Sequence, residues 1–116
     1  MSVVVNDCIF CKIISGEIPS PHLASNADAI AIADIAPVAP IHYLILPRRH
    51  ESNAIALHRS EPEAMAAIFA LVDTLTASAG LSDYRLVFNT GAEAGQSVFH
   101  AHLHLISGRP LSWPPG

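Results

Sequence analysis

The stretch FHAHLHLIS, residues 99–107, sets His100, His102 and His104 at every second position, with only Ala101 and Leu103 between them. A spacing of two fits a β-strand, where successive side chains point to opposite faces, so the three imidazoles share one face. Phe99, Ala101, Leu103 and Leu105 make up the other face, apolar as a strand against a core requires. On a helix the same histidines would fan around the axis among apolar residues. The stretch is predicted to be a strand carrying a wall of imidazole.

The flanking segments supply the rest of the architecture. CIFCKII (8–14) reads as a short helix stopped by Ser15-Gly16, with Pro19 beyond. AIAIA (29–33) suits a buried strand, DIAPVAPIH (34–42) a proline-punctuated loop, and HYLILP (42–47) a second strand closed by Pro47. A long helix is predicted from about Ser60 to Ala79, with Ser60 and Glu63 as a capping box and Gly80 as its stop. Its core stripe would be Met65, Ile68, Phe69, Val72 and Leu75. YRLVFN (84–89) reads as a strand and TGAEAGQS (90–97) as a glycine-bearing loop before the histidine strand. This order predicts an α+β fold: a mainly antiparallel sheet of about five strands, with one long and one short helix.

At 116 residues, with 51% hydrophobic and 14% charged side chains, the chain is expected to be a single globular domain, 1–116. A net charge of −4 and a pI near 5.9 argue against a nucleic-acid polymer as partner, since a phosphate backbone demands a basic face. A small anion remains compatible, because backbone amides bind phosphate without net positive charge. No segment has the roughly 20 apolar residues of a membrane span. MSVVVNDC (1–8) lacks the pattern of an export signal, so a reducing, cytoplasmic setting is expected for the two cysteines.

Four chemistries compete for the histidine wall. The plainest is a solvent-facing strand that happens to be rich in histidine, which strict alternation after a glycine loop disfavours. One metal ion held by all three is disfavoured by reach: residues four apart on a strand lie about 13 Å apart, against zinc–imidazole bonds of about 2.0–2.1 Å. A nucleophilic or acid–base role fits better, since imidazole titrates near neutrality and a phosphohistidyl adduct divides one hard displacement into two easier ones. His102, flanked by partners that can hold its tautomer, is the best-placed nucleophile. Gly91 and Gly95, with Asn89, Gln96 and Ser97 near the same strand end, then form a candidate phosphate cradle.

The fourth reading divides the roles. Cys8 and Cys11 form a C-x-x-C pair, and His50 closes LPRRH (46–50). Two thiolates and two imidazoles make a tetrahedral structural zinc site, with His100 as the natural fourth ligand and His102 left free. A thioredoxin-like redox pair is weaker, for no strand precedes the cysteines; a reduced pair without special role is the bland alternative. Trp113, in SWPPG (112–116), is an aromatic fixed by prolines that could dock on a second subunit.

The motif His-φ-His-φ-His-φ-φ, with φ apolar, resembles that of the histidine-triad (HIT) superfamily. CIFCKIISGEIP, DIAPVAPIHYLILPRRH, GQSVFHAHLHLISGR and LSWPPG together resemble its nucleotide-binding Hint branch from about residue 7 to the end. The resemblance implies a homodimer that joins sheets across a two-fold axis. It also implies hydrolysis of purine nucleoside 5′-phosphoramidates such as an AMP–amine. His102 matches the residue that attacks the α-phosphorus, and His104 the residue whose main chain orients the nucleophile's other ring nitrogen. His42 and His100 match the remaining active-site histidines, and Ser97 matches the residue that aids the leaving group. Asp34 and Ile35 match the ribose and base pocket, Asn89, Gly95 and Gln96 the loop around ribose and phosphate, and Trp113 a residue reaching the partner's site. Zinc on Cys8, Cys11, His50 and His100 is carried over only because all four are present, since some members lack the cysteines; His100 would then act indirectly.

Departures from the branch are Arg48-Arg49 in place of lysines and Pro110 in the tail. The third histidine argues against the transferase branch, which has glutamine there. The rival readings are a dinucleoside polyphosphate hydrolase, a nucleotide-binding adaptor with only slow hydrolysis, and a protein that simply binds metal.

Overall fold

The computed structural model describes residues 7–116. Residues 1–6, and with them most of the stretch from which no export signal is expected, lie outside the described residues. The elements run α1 (Ile9–Ser15), β1 (Ala24–Ser25), β2 (Ala29–Ala33), β3 (Ile41–Pro47), α2 (Ala54–Ser60), α3 (Pro62–Ala79), β4 (Arg85–Val87) and β5 (Leu103–Ser107), with a 3-10 turn at Ala92–Ala94 before β5. The strands form one sheet in the order β1-β2-β3-β5-β4, antiparallel throughout. The α+β class and the five-stranded antiparallel sheet are as the sequence predicts.

Strand alternation sorts the core into two layers. Ala29, Ala31, Ile45, Leu103 and Leu105 pack with Leu57, Ile68, Leu71, Val72 and Leu75 on the α3 face. Ile30, Ile32, Leu44 and Leu46 pack with Phe10 and Ile13 on the α1 face. Even positions of β3 and β5 therefore look towards α1, which puts His42 and His104 on that face, with Leu44 opposite His104 in the ladder. Cys8 caps α1, its thiol accepting from Cys11 N–H, and Gly16 ends it at a φ of 86°.

Several expectations need correction. The histidine stretch enters the ladder only at Leu103, so His100 and His102 precede the strand. The β3–β5 register would next pair Ala101 with Pro47, which has no N–H to continue the ladder, and Ala101 N–H turns instead to Glu51 O at 2.7 Å. Ala101, Leu103 and Leu105 do face the core, but Phe99 is 53% exposed.

The long helix is also not capped by Ser60. Ser60 ends α2, a helix the sequence reading missed, which Asn53 caps through Ala56 N–H. Pro62 excludes helical geometry at the residue before it, so Glu61 sits at φ −150° and breaks the two helices apart. On α3, Ile68, Val72 and Leu75 are buried as expected, while Phe69 faces out and Leu71 takes its place. The strand predicted over residues 84–89 is confined to β4, at the sheet edge.

Candidate active site

The N-terminus of α1 and the approach to β5 bring four ligand-type side chains together. Cys8 and Cys11, one helical turn apart, are buried and not joined in a disulfide. His100 is 0% exposed, and its Nε2–H donates to Pro47 O at 2.9 Å, which leaves Nδ1 as a lone pair. That Nδ1 lies 3.5 Å from Cys8 Sγ, 3.6 Å from Cys11 Sγ and 3.2 Å from His50 Nδ1. Cys11 Sγ and His50 Nδ1 are 3.4 Å apart. Burial lowers the His100 pKa to about 4; the Pro47 carbonyl opposes it, and the charges that His50 and His102 would carry add smaller lowering effects. His100 is thus held neutral, the form that binds metal. These four residues could hold a metal ion.

His102 stands next along the chain. Its Nδ1–H donates to His100 O at 2.7 Å, so Nε2 carries the lone pair. The carbonyl that orients the ring belongs to His100, not to His104 as the resemblance implied. Phe10 packs edge-on against His102, with ring centres 5.0 Å apart, and His104 lies at 5.1 Å. Desolvation lowers the His102 pKa, opposed by the His100 carbonyl and by the Asp34 charge. The ring is neutral at physiological pH, with a free nitrogen suited to attack.

His42, His104 and Asp34 form a third group whose protons can be placed. Val38 N–H donates to His42 Nδ1 at 3.1 Å, so His42 carries its own proton on Nε2. That proton points to His104 Nδ1 at 2.8 Å, with Asp34 Oδ2 at 3.3 Å as a second acceptor. His104 Nδ1 therefore accepts, and the proton of neutral His104 sits on Nε2 as a donor. Burial first, then the neighbouring His102 and His42, lower the His104 pKa to about 4, while Asp34 acts in the other direction. The other Asp34 oxygen accepts Ala36 N–H at 2.8 Å, so the carboxylate also shapes its own loop.

The glycine loop is locked from within. Gln96 is buried, its Oε1 accepting Gly91 N–H at 2.9 Å and its Nε2 donating to Ser52 O at 2.6 Å and Val98 O at 3.1 Å. Its amide thus sets the loop's shape. Gly91 and Gly95 take φ values of 91° and 100°, and half-buried Asn89 lies against Gly95. Ser97 is exposed and lines a crevice of about 470 Å³ with His50, Ile9 and Phe99. A larger hollow of about 700 Å³ beside Tyr84, Arg85 and Arg109 includes no triad residue.

Two predicted site residues have little protein around them: Ile35 is 99% exposed and Trp113 is 81% exposed. Sequence reasoning missed Phe10, which lies edge-on to both His100 and His102. It also missed the main-chain partners at Val38, Pro47 and Glu51. Phe10 stood in view as part of an amphipathic helix; main-chain partners leave no signature in residue type.

With this geometry in place, comparison with known proteins defines the class. Residues 7–111 match the family described as scavenger mRNA decapping enzyme C-term binding. An uncharacterized HIT-like protein of Synechocystis is 39% identical over 97% of this chain and 100% of its own length. A HIT family hydrolase from Legionella pneumophila superposes with a TM-score of 0.88 at 42% identity, covering 95% of this chain and 100% of that one. A histidine triad nucleotide-binding protein from Candida albicans gives a TM-score of 0.80 at 35% identity, over 93% and 83% of the two chains. The chain belongs to the histidine-triad superfamily.

Proposed function

We propose that this protein is a purine nucleoside 5′-phosphoramidate hydrolase with His102 as nucleophile. The observation that carries the reading is the 2.7 Å bond from His102 Nδ1–H to His100 O, which leaves Nε2 of a neutral, desolvated ring as the attacking atom. The hydrolase and nucleotide-binding names of the Legionella and Candida relatives point the same way.

In the first step His102 Nε2 forms a bond to the α-phosphorus while the P–N bond breaks, and the departing amine takes a proton from the exposed Ser97 hydroxyl, which regains one from solvent. The Nε2–H of His104 is available to a phosphoryl oxygen as negative charge builds there. In the second step water adds to phosphorus, the N–P bond of the nucleotidyl-His102 breaks, and nucleoside monophosphate leaves as His102 returns to its neutral form. Asp34, Ile35, Asn89 and the Gly95–Gln96 loop would receive ribose, base and phosphate. Ile35 and Trp113, so exposed in one chain, suit a homodimer in which a second subunit covers them.

Zinc fits the Cys8, Cys11, His50, His100 set. A tetrahedral ion with Zn–N near 2.05 Å and Zn–S near 2.3 Å sets its ligand atoms about 3.3 Å (N to N) and about 3.6 Å (S to N) apart. The observed separations are 3.2 Å for the nitrogens and 3.4 to 3.6 Å for sulfur to nitrogen. When bound, the ion would cross-link α1 to the turn after β3 and to the triad. Buried cysteines not joined in a disulfide at these positions suit a reducing, cytoplasmic setting.

The test is hydrolysis of adenosine 5′-phosphoramidate by the purified protein and by His102→Ala, with bound zinc quantified in both. Turnover lost with zinc retained supports the assignment. Turnover that survives the substitution, or zinc that leaves with His102, sinks it. A preference for dinucleoside polyphosphates, or nucleotide binding without turnover, would select one of the rival readings.

A further inference from the structure

The groups that precede β5 all lean on one short turn, residues 47–52, where the chain leaves β3. Pro47 O accepts from the His100 ring at 2.9 Å, Glu51 O accepts Ala101 N–H at 2.7 Å, and Ser52 O accepts the Gln96 amide at 2.6 Å. The peptide group between His100 and Ala101 is consequently held at both ends. Its N–H is fixed by Glu51 O, and its carbonyl receives the His102 Nδ1 proton at 2.7 Å. A peptide whose N–H already donates is polarised, and its carbonyl becomes a stronger acceptor. The Glu51 carbonyl is thus one peptide group away from the orientation of the nucleophile.

Side chains anchor that carbonyl. Glu51 Oε2 accepts from Ser60 Oγ at 2.6 Å and from Arg49 Nε at 3.0 Å, and Arg49 Nη1 reaches Glu61 Oε2 at 3.3 Å. Ser60 and Glu61 lie at the break between α2 and α3, so the network ties the turn to the helical layer. Arg49 and Glu61 are more than a third exposed, and ion pairs in such surroundings contribute little to stability. Their effect lies instead in where they hold the turn.

We propose that Glu51 is a positioning residue for His102: its carboxylate, fixed by Ser60 and Arg49, holds the Glu51 carbonyl against the His100–Ala101 peptide and so fixes the tautomer and angle of the His102 ring. The proposal rests on the reading of His102 as nucleophile.

The experiment compares the parent with Glu51→Ala, Glu51→Gln and Ser60→Ala. It measures kcat and KM for adenosine 5′-phosphoramidate, bound zinc, and the ring ¹⁵N shifts of His102 in a long-range ¹H–¹⁵N spectrum. Glu51→Ala is expected to lower kcat by about ten- to a hundredfold, the scale of a misplaced reacting group, with KM and zinc content unchanged. The His102 shifts should move from a pure Nδ1–H tautomer to a mixture. Glu51→Gln, which keeps an acceptor for Ser60 and Arg49, should restore most of the rate. Ser60→Ala should fall between, and it decides the matter should Glu51→Ala not fold. Unchanged kcat and His102 shifts in the alanine variant overturn the proposal, as does a rate loss that tracks loss of zinc. A parent without turnover removes only the hydrolase reading, and the His102 shifts then decide the positioning role alone.

Discussion

His42 donates its Nε2 proton to His104 Nδ1 across 2.8 Å, and Val38 N–H, bound to the other His42 nitrogen, leaves no alternative tautomer. The wall of imidazole is therefore three separate devices. His100 faces two thiols, His104 accepts from His42, and His102 keeps on Nε2 a lone pair that none of these partners engages. Phe10 of α1 packs against both His100 and His102, and the partners on α1, β3 and the following turn assigned the roles.

Replacing His42 tests the chain directly. His42→Ala leaves His104 Nδ1 and Val38 N–H without their partner beside a buried histidine. The cost to stability should be about 1–3 kcal/mol, the scale of an unsatisfied buried polar group. Turnover should fall as well, since His104 no longer has a defined donor. Chemical denaturation and kcat are the readouts; an unchanged kcat at reduced stability would remove His42 from the catalytic arrangement.

The fold and most of the metal-type cluster are legible in the sequence because they depend on residue type and period. Ala29 to Ala33, Leu103 and Leu105 sort themselves by alternation, and two cysteines with two histidines announce ligand chemistry. The start of β5 was not legible, because it depends on the register that sets Ala101 against Pro47, a relationship between strands far apart in the chain. Pro62 was visible, yet whether a proline opens one helix or divides two depends on Asn53 capping another just upstream. The orientation of His102 is still further out of reach, since the carbonyls of His100 and Glu51 exist in every sequence.

Stability should fall in mild acid. The folded-state pKa of His104 is about 4, against an ordinary value of 6.5 in the unfolded chain. Between those limits the unfolded chain binds the proton and the folded protein does not, so stability is lost as pH drops from 6.5 towards 4 and is flat above that window. His100 acts in the same direction, but release of a bound ion would overlay it. The His104 part is isolated as the difference between the parent and His104→Asn in thermal unfolding at several pH values. A constant difference from pH 7 to pH 4 would mean that His104 is not held neutral by the fold.

Removal of the proposed zinc ion should loosen the α1 face. The parent is expected to carry one equivalent of zinc and Cys8→Ser/Cys11→Ser none. Without an ion the His100 lone pair is buried beside poorer ligands, and α1 loses its link to the turn after β3. A loss of about 2–3 kcal/mol is expected, or roughly 10 °C or more in Tm for a chain of this size. A chelator should bring the parent to the same Tm. Equal melting with and without chelator would show that the cluster is not a structural metal site.

Gly108, just after β5, packs closely against Pro40 in the loop before β3. It sits at φ 99°, and a Cβ there would lie 2.9 Å from Pro40 Cβ, in a proline ring that cannot rotate away. One residue on, Arg109 Nε donates to Val38 O at 2.8 Å, so the tail and the loop carrying Asp34 and Val38 move together. Gly108→Ala should therefore cost about 1–3 kcal/mol through backbone strain and the clash. It should also lower turnover, because displacing Val38 removes the donor that fixes the His42 tautomer. Gly80→Ala is the control: it shares the positive φ, at 64°, but meets nothing within 4 Å and lies at the end of α3. That variant should lose stability at undiminished kcat. Equal kcat in the two variants would break the proposed link between the tail, Val38 and the histidine chain.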